Sequence, residues 1–200
     1  MVLTVAQKSL VLIFLLHPCI LSAQHVNTRT LANIVKAFEA KLGKSGQYAV
    51  ALRVGKEKCS DSNYSGQDLI TEDVKNTIEN NDVYKSNNLI AAKALKGENT
   101  QHSEYRLKNY LKNILNAKGE CVIFFTVNSP CLDRCLAEEG KYTIKRSLTM
   151  LQNYEGVKAL AFKKVWTHDT MKNLKKRLTA IAPDLPCYQC ENYKAECDRL

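Results

Sequence analysis

One apolar segment in the middle of this 200-residue chain limits its possible folds more than any other part of the sequence. Residues 121–127 read Cys-Val-Ile-Phe-Phe-Thr-Val and include no charged side chain. A run of this length and composition predicts a β-strand that is covered on both faces. Helical patterns precede and follow it along the chain. We therefore expect an α/β fold, a three-layer sandwich in which helices cover both faces of a mixed sheet of four to five strands.

The apolar periodicity also assigns the other elements of the fold. Further strands are predicted at residues 48–54, 89–95 and 157–166. Helices are predicted at residues 28–42, 102–118, from 130 onward, 144–154 and 171–181. Residues 55–88 are polar and predict a long insertion with a short helix near 72–80. The two prolines in residues 182–186 resist strand pairing, so we expect the last strand to be missing or replaced by the disulfide-tied tail.

The first 23 residues have the features of a secretory signal peptide. Lys8 precedes an apolar stretch at residues 10–16, and Ser22-Ala23 form a small-residue cleavage site before Gln24. This stretch is too short to span a bilayer, so we predict a secreted, extracellular protein with no membrane anchor after cleavage. An uncleaved anchor or a buried strand is the alternative. Removal of the peptide leaves a single domain, residues 24–200, with a core at about 48–181 and a cysteine-containing tail at 182–200.

The positive charge of the chain is concentrated in one segment. The formal net charge is +9, and Lys8 is the one charged residue of the first 23, so the mature chain carries +8. Residues 141–177 contain ten lysines and arginines, with only Glu155 and Asp169 as acids, so the whole excess lies there. Such a segment favours a polyanionic partner. A solvated basic face is the alternative.

Two short motifs contain the residues of a hydrolytic metal site. His102-Ser103-Glu104 is followed by Ser129-Pro130-Cys131, and Cys135 comes four residues later. One imidazole and two thiolates are ligands for Zn²⁺ that leave a fourth position open for water, and zinc lowers the pKa of that water to about 7. Glu104 is then free to move protons as a general acid and base. The combination is typical of zinc-dependent nucleobase deaminases.

The local backbone around the two cysteines bears on this interpretation. We expect Cys131 at a helix N-terminus, where the helix dipole favours a thiolate, with Cys135 on the same helix face. The structural alternative is that both cysteines form disulfides and the histidine lies on the surface. A second Pro-Cys motif at residues 186–190 lies far from His102 and follows no apolar strand, so we interpret it as disulfide scaffolding.

Seven of the eight cysteines lie after residue 23, and five of these are outside the candidate metal site. Because five is odd, at least one is free or pairs with another chain. Cys121 opens an apolar run and is the expected buried free thiol. Two bridges are expected among Cys59, Cys187, Cys190 and Cys197, and their pairing stays open. Asn63-Tyr64-Ser65 is an acceptor sequence for N-glycosylation in a polar loop.

From these motifs, the chain resembles the AID/APOBEC-like deaminases, which are zinc-dependent polynucleotide cytidine deaminases, over residues from about 48 to 181. The resemblance rests on residues 102–107 (His-Ser-Glu-Tyr-Arg-Leu), residues 128–131 (Asn-Ser-Pro-Cys) and the later strand and basic helix. The signal peptide narrows it to the secreted branch of the family. It implies a cytidine-deaminase-like sandwich, Zn²⁺ bound by His102, Cys131 and Cys135, Glu104 as proton shuttle, and conversion of cytosine to uracil in single-stranded DNA or RNA.

The resemblance also implies substrate contacts. Asn128 and Ser129 stand before the cysteine motif, and the family usually has an aromatic residue where this chain has Asn128. The two cysteines are separated by three residues, where two are usual. Trp166 and His168 occupy the loop that reads the flanking base in the family. Trp166 is expected to stack on a nucleotide or to close the core, and His168 to contact substrate or to lie on the surface.

Lys163 and Lys164 lie shortly before that loop. We expect both lysines to contact phosphates, which would make binding dependent on salt.

Three functions follow from this sequence. The first is a secreted cytidine deaminase that acts on single-stranded nucleic acid in innate defence. The second is a deaminase of free nucleosides or nucleotides, which needs the same metal site but no basic segment. The third is a non-enzymatic secreted binding protein that is stabilised by zinc and in which Glu104 has no role.

Overall fold

The computed structural model describes residues 25–97, 100–191 and 194–200. The predicted signal peptide therefore lies outside the described residues. Within the described ranges, no helix is both long enough and apolar enough to cross a membrane. A mixed sheet with helices on both faces confirms the predicted α/β fold class.

The sheet has seven strands in the order β2-β3-β1-β4-β5-β6-β7. They are β1 (Tyr48–Val54), β2 (Val83–Lys85), β3 (Leu89–Lys93), β4 (Cys121–Asn128), β5 (Val157–Lys164), β6 (Cys187–Gln189) and β7 (Asp198–Arg199). β4 contains the apolar run that predicted a doubly covered strand. It runs antiparallel to β1 and parallel to β5, and its first six residues are buried.

Helices cover both faces of this sheet. In the described residues they are α1 (Thr28–Leu42), α2 (Glu72–Glu79), α3 (Ser103–Leu107), α4 (Leu111–Ile114), α5 (Lys145–Gln152) and α6 (Met171–Ile181). Because side chains alternate along β4, Phe125 packs with α1 and α2 on one face, whereas Phe124 packs with α3 to α6 on the other. This alternation produces the two outer layers.

The sheet is larger than the predicted four to five strands. β2 adds an antiparallel edge beside β3, within the segment that was expected to be an insertion. On the other side, β6 pairs parallel with β5, and β7 pairs antiparallel with β6. β6 begins at Cys187, so both prolines of the tail precede it. The tail thus replaces the expected last strand, which was one of the two predicted outcomes.

The helix predicted after His102 is interrupted. α3 ends at Leu107 and α4 begins at Leu111. Between them, the N–H groups of Lys108 and Tyr110 donate to carbonyls three residues earlier, and bonds of this type tighten the turn. Leu107 and Leu111 both reach the core. The apolar spacing that predicted one helix is therefore satisfied by two short ones.

The described residues contain two disulfides, and the prediction that Cys121 is free is wrong. Cys121 is bonded to Cys59. β1 and β4 are antiparallel neighbours, so β1 ends beside the start of β4, and the following turn returns Cys59 to Cys121. The second bridge joins Cys190 to Cys197 around the β6–β7 hairpin. Among the described cysteines, the free buried thiol outside the candidate metal site is Cys187.

Candidate metal centre and active site

The candidate metal ligands come from two segments that meet near the carboxyl end of β4. His102 immediately precedes α3, and Cys131 and Cys135 lie in the segment that follows β4. His102 Nδ1 is 3.2 Å from Cys135 Sγ and 3.5 Å from Cys131 Sγ. The three ligand atoms lie within 4.8 Å of one another, and both cysteines are buried. The fold thus brings together the three residues that the motifs selected.

The donor set fits a zinc ion. Tetrahedral zinc, with Zn–N near 2.1 Å and Zn–S near 2.3 Å, requires ligand atoms roughly 3.6 Å apart. The distances from the His102 nitrogen to both sulfurs are close to that value. In the described part of the chain the cluster offers three ligands, one fewer than the four of a closed structural zinc site. That arrangement is found in catalytic zinc sites rather than in closed structural ones.

The segment that contains the cysteines is a turn and not the predicted helix. The N–H of Leu136 donates to the carbonyl of Cys131 (3.0 Å), and the N–H of Cys135 donates to the Cys131 sulfur (3.5 Å). Asp169, from the loop after β5, accepts a hydrogen bond from the N–H of Leu132 (3.1 Å). Because these partners satisfy the N–H groups, the turn closes without continuing as a helix. The Cys131 sulfur therefore accepts from a single backbone N–H, that of Cys135, instead of facing a helix dipole.

The two thiols differ in acidity when no metal is bound. Cys135 donates a hydrogen bond to the Cys131 sulfur, and this bond, assisted by the His102 ring, lowers the pKa of Cys131 below its usual value. The same hydrogen bond, together with burial, raises the pKa of Cys135 above its usual value. Cys131 is therefore the more acidic of the two thiols. Cys135 would lose its proton as the metal binds.

Glu104 lies in the first turn of α3, beside the ligand cluster but not part of it. It is only 2% exposed, and Ser103 Oγ donates a hydrogen bond to its Oε2 (3.0 Å). Burial raises the pKa of Glu104 above its usual value, so this carboxyl holds a proton more readily than a surface carboxyl. A buried carboxyl next to an open metal position is suited to proton transfer.

A cavity of about 230 Å³ opens onto this cluster. Pockets that bind drug-sized ligands have volumes of roughly 300–1,000 Å³, so this cavity is smaller. Its volume suits a single ring of a larger ligand. Its walls include His102, Glu104, Cys131, Asn128, Ser129, Trp166, Gln47, Ala94, Leu95, Lys96 and Thr100. Candidate metal ligands, the candidate proton shuttle and three of the predicted substrate contacts therefore share one space.

The predicted contacts that line the cavity are tied to one another. Ser129 Oγ accepts a hydrogen bond from the N–H of Trp166 (3.0 Å), which joins the end of β4 to the loop after β5. The N–H of Asn128 donates to the side-chain oxygen of Gln47 (3.1 Å). The Trp166 ring lies 6.4 Å from the His102 ring. It packs partly against the core and also lines the cavity, so stacking of Trp166 on a nucleotide stays a prediction.

The other predicted contacts do not form the cavity walls. His168 is exposed, with its ring 5.6 Å from that of Trp166, and Lys164 is exposed at the end of β5. Lys163 lies on the α1 face of the sheet, where it forms an ion pair with Glu39. Because side chains alternate along a strand, Lys163 and Lys164 point to opposite faces and cannot serve the same surface.

Sequence reasoning missed four residues that shape the site. Gln47 precedes β1 and reaches Asn128 with its side chain. Lys96 and Thr100 come from the loop after β3 and line the cavity. Asp169 braces the cysteine turn through its hydrogen bond to the backbone. No local pattern marks these residues, because each reaches the site through strand pairing or through contacts with residues distant in sequence.

Comparison with known proteins gives one match. A family model described as Secreted Novel AID/APOBEC-like Deaminase 1 matches residues 28–199, which include every residue of the site. No curated protein and no solved structure matches the chain. The family match covers most of the sequence and extends beyond both ends of the region of predicted resemblance. The chain therefore belongs to the family of secreted novel AID/APOBEC-like deaminases.

Proposed function

We propose that this protein is a zinc-dependent cytidine deaminase that converts cytosine to uracil in single-stranded nucleic acid. The observation that carries the proposal is that Glu104 shares one cavity with His102 and Cys131, beside Cys135. Membership of a deaminase family supports it. The structural alternative, in which both cysteines form disulfides, disagrees with two buried free thiols that face a histidine.

Each residue of the site has a separate task in this reaction. His102, Cys131 and Cys135 would hold the zinc ion, which when bound supplies a water molecule of lowered pKa. Glu104 is placed to accept a proton from the attacking water and to deliver it to ring nitrogen N3, and a further proton passes to the amino group. A bond forms from the water oxygen to C4 and the bond from C4 to the amino nitrogen breaks, so cytosine and water become uracil and ammonia. Ser103 orients the carboxyl through its hydrogen bond.

The surroundings of the cavity support a polynucleotide substrate over a free nucleoside. Trp166 presents an aromatic ring at the cavity, and stacking of a base on such a ring contributes about 1–3 kcal/mol. Lys96 lines the cavity and is exposed. Lys164, Lys172 and Lys176 are exposed as well. We infer that Trp166 stacks on a nucleotide and that Lys96 and Lys164 contact phosphates.

We further propose that residues 1–23 are removed as a signal peptide and that residues 24–200 form a mature, single-domain extracellular enzyme. The two disulfides support folding in an oxidising compartment. An extracellular deaminase with a positive net charge would meet foreign or released nucleic acid, so we propose a role in innate defence.

The test is uracil formation from cytosine-containing single-stranded DNA and RNA. The protein is purified from the medium of cells that express the full chain, and Glu104→Gln is assayed beside it. We expect product from the wild type and a loss of about 10²–10⁴-fold in the variant, with zinc content unchanged because Glu104 is not a ligand. Product from free cytidine alone would favour a nucleoside deaminase. Folded, zinc-loaded protein with no product from any substrate would favour the zinc-stabilised binding protein.

A further inference from the structure

Beside the cysteine turn, two tyrosines and three cations form a surface group that the proposed reaction does not use. We define the tyrosine–cation cluster as Tyr105, Lys108, Arg134, Lys141 and Tyr142. We propose that this cluster is a second contact surface for single-stranded polynucleotide, outside the cavity. The inference rests on the proposed function and states where the parts of the substrate beyond the reacting base are bound.

The five side chains are held together by aromatic contacts. The rings of Tyr105 and Tyr142 meet edge to face with their centroids 5.1 Å apart. Lys108 Nζ lies 4.2 Å from the centre of the Tyr105 ring. The Arg134 guanidinium carbon lies 4.4 Å from the centre of the Tyr142 ring, and Lys141 Nζ lies 5.5 Å from it. Aromatic faces attract cations at these distances, and all five residues are at least partly exposed.

The charge of the cluster is not neutralised by carboxylates. Within the described ranges, none of its three cations forms a salt bridge, although Asp133 and Glu139 are exposed neighbours along the chain. By contrast, Lys145 and Arg177 are paired, since they share Glu138. Three positive charges around two rings repel one another. A polyanion would supply the missing counter-charge.

Single-stranded nucleic acid matches both components of the cluster. Its phosphates suit the cations, and its unpaired bases present flat faces that stack on tyrosine rings. Arginine in particular recognises phosphate with two parallel hydrogen bonds. An acidic protein surface would satisfy the charges but would make no comparable use of the rings.

The position of the cluster links it to the site. Tyr105 follows Glu104 in α3, and Arg134 lies between Cys131 and Cys135. A polynucleotide whose cytosine enters the cavity therefore has contact groups nearby for its remaining nucleotides. A ligand confined to the cavity would not reach them, so we expect the cluster to act on long substrates more than on short ones.

The test compares two pairs of charge-removing substitutions. Lys108→Gln with Lys141→Gln changes the cluster, and Lys36→Gln with Lys41→Gln removes the same charge from exposed lysines of α1, on the opposite face of the sheet. Tyr142→Leu tests the ring separately. Binding of fluorescent 20-nucleotide and 5-nucleotide DNA and RNA is measured by anisotropy across a range of salt concentrations, in secreted full-chain protein that also contains Glu104→Gln.

We expect the cluster pair to weaken binding of the 20-nucleotide ligands by about 10-fold. The negative slope of log affinity against log salt should become shallower by up to about 1.4, since each lost phosphate contact on a single strand contributes about 0.7. The α1 pair should weaken binding of the 20-nucleotide ligands much less. The cluster pair should likewise weaken binding of the 5-nucleotide ligands much less. Equal weakening by both pairs would overturn the inference, because net charge alone would then explain binding. If the wild type forms no uracil while the cluster pair still loses binding selectively, the proposed reaction fails but the surface stands.

Independently of this surface, we infer that Asn63 bears an N-linked glycan. Asn63 is exposed in a turn, and its side-chain amide makes no hydrogen bond within the described ranges. The preceding residues are anchored to α1, because the carbonyls of Asp61 and Ser62 accept hydrogen bonds from Thr30 Oγ1 (2.7 Å) and Asn33 Nδ2 (2.9 Å). α1 covers the sheet face opposite the cavity. A glycan on Asn63 would therefore leave the substrate side of the molecule open.

The modification joins Asn63 Nδ2 to the anomeric carbon of an oligosaccharide. The bond from that carbon to its lipid-linked diphosphate donor breaks, and the amide nitrogen loses one proton. We expect the secreted chain to lose mass when an amide-cleaving glycosidase removes the glycan, with uracil formation unchanged. Asn63→Gln should abolish the mass difference and Ser65→Thr, which keeps the acceptor sequence, should retain it. Secreted protein of unmodified mass would overturn this inference alone, whereas unmodified protein retained in the cell would also contradict the proposed secretion.

Discussion

Two segments of this chain begin with Pro-Cys and contain a second cysteine within four residues, yet their structures differ. In residues 130–135 both thiols are free and face His102. In residues 186–190, Cys187 is a free buried thiol, whereas the second cysteine is bonded to Cys197. The second segment has the two-residue spacing that is more usual for the zinc site of this family, but in the described residues it forms no metal-ligand cluster.

The backbone explains the difference between the two segments. Residues 187–189 form a strand, and residues three apart in extended chain point to opposite faces. Cys187 accordingly packs with the α3–α6 layer and Cys190 with the α1 layer. In the first segment, the turn closed by the Leu136 N–H brings both sulfurs to the same side. Cysteine spacing therefore indicates a metal site only where the backbone curls to bring the sulfurs together.

The largest expected effect is that of Cys135→Ser in the first segment. Removal of one soft ligand leaves one imidazole and one thiolate, so zinc content should fall from about one per chain to near zero and uracil formation by at least about 100-fold. Metal analysis after dialysis and the oligonucleotide assay would measure both. Retention of zinc by this variant would contradict the assignment of Cys135 as a ligand and remove the contrast between the two segments.

The two disulfides should differ in their contribution to stability. The Cys59–Cys121 bridge spans 62 residues and the Cys190–Cys197 bridge spans 7. Because a longer loop restricts the unfolded chain more, replacement of both cysteines by alanine should cost about 4 kcal/mol in the first case and about 2 kcal/mol in the second. Denaturant unfolding measures both losses, provided that the variants and the wild type show the same dependence of unfolding free energy on denaturant concentration. A larger loss from the short bridge would show that native contacts of the tail outweigh loop entropy.

A smaller effect is expected from Asp169, which braces only the first segment. Asp169→Ala removes the acceptor for the N–H of Leu132 and should weaken zinc binding by about 10-fold, as is common for groups that orient metal ligands. Asp169→Asn keeps an acceptor oxygen and should bind zinc nearly as well as the wild type. Chelator competition distinguishes the two. Equal losses would mean that the carboxylate charge matters and the hydrogen bond does not.

The smallest effect is expected from Cys187→Ser in the second segment. The Cys187 thiol donates to the carbonyl of Leu185 (3.3 Å), and a serine hydroxyl can do the same. Unfolding free energy should fall by about 1 kcal/mol or less, with zinc content and uracil formation unchanged. A loss of zinc here would assign the second segment a metal role and remove the contrast between the two.

The sequence predicted the elements best where burial is continuous. β1 has the predicted bounds and β4 extends one residue beyond the prediction, because a strand covered on both faces needs an unbroken apolar run. α1 has the predicted bounds, and the Asn27 side chain before it accepts from two backbone N–H groups. β2, β6 and β7 have only two or three residues each, too few for such a run, and the prediction missed them or left them open.

By itself, the sequence determined the α/β class, the family and the chemical types of the side chains that meet at the cavity. Only the tertiary structure decided that Cys121 pairs with Cys59, that Lys163 lies on the α1 face, and that Gln47 and Lys96 reach the site. Periodicity and motifs depend on residues close together along the chain. Strand order, register and hydrogen bonds between distant residues determine which faces meet, and a local pattern does not specify them.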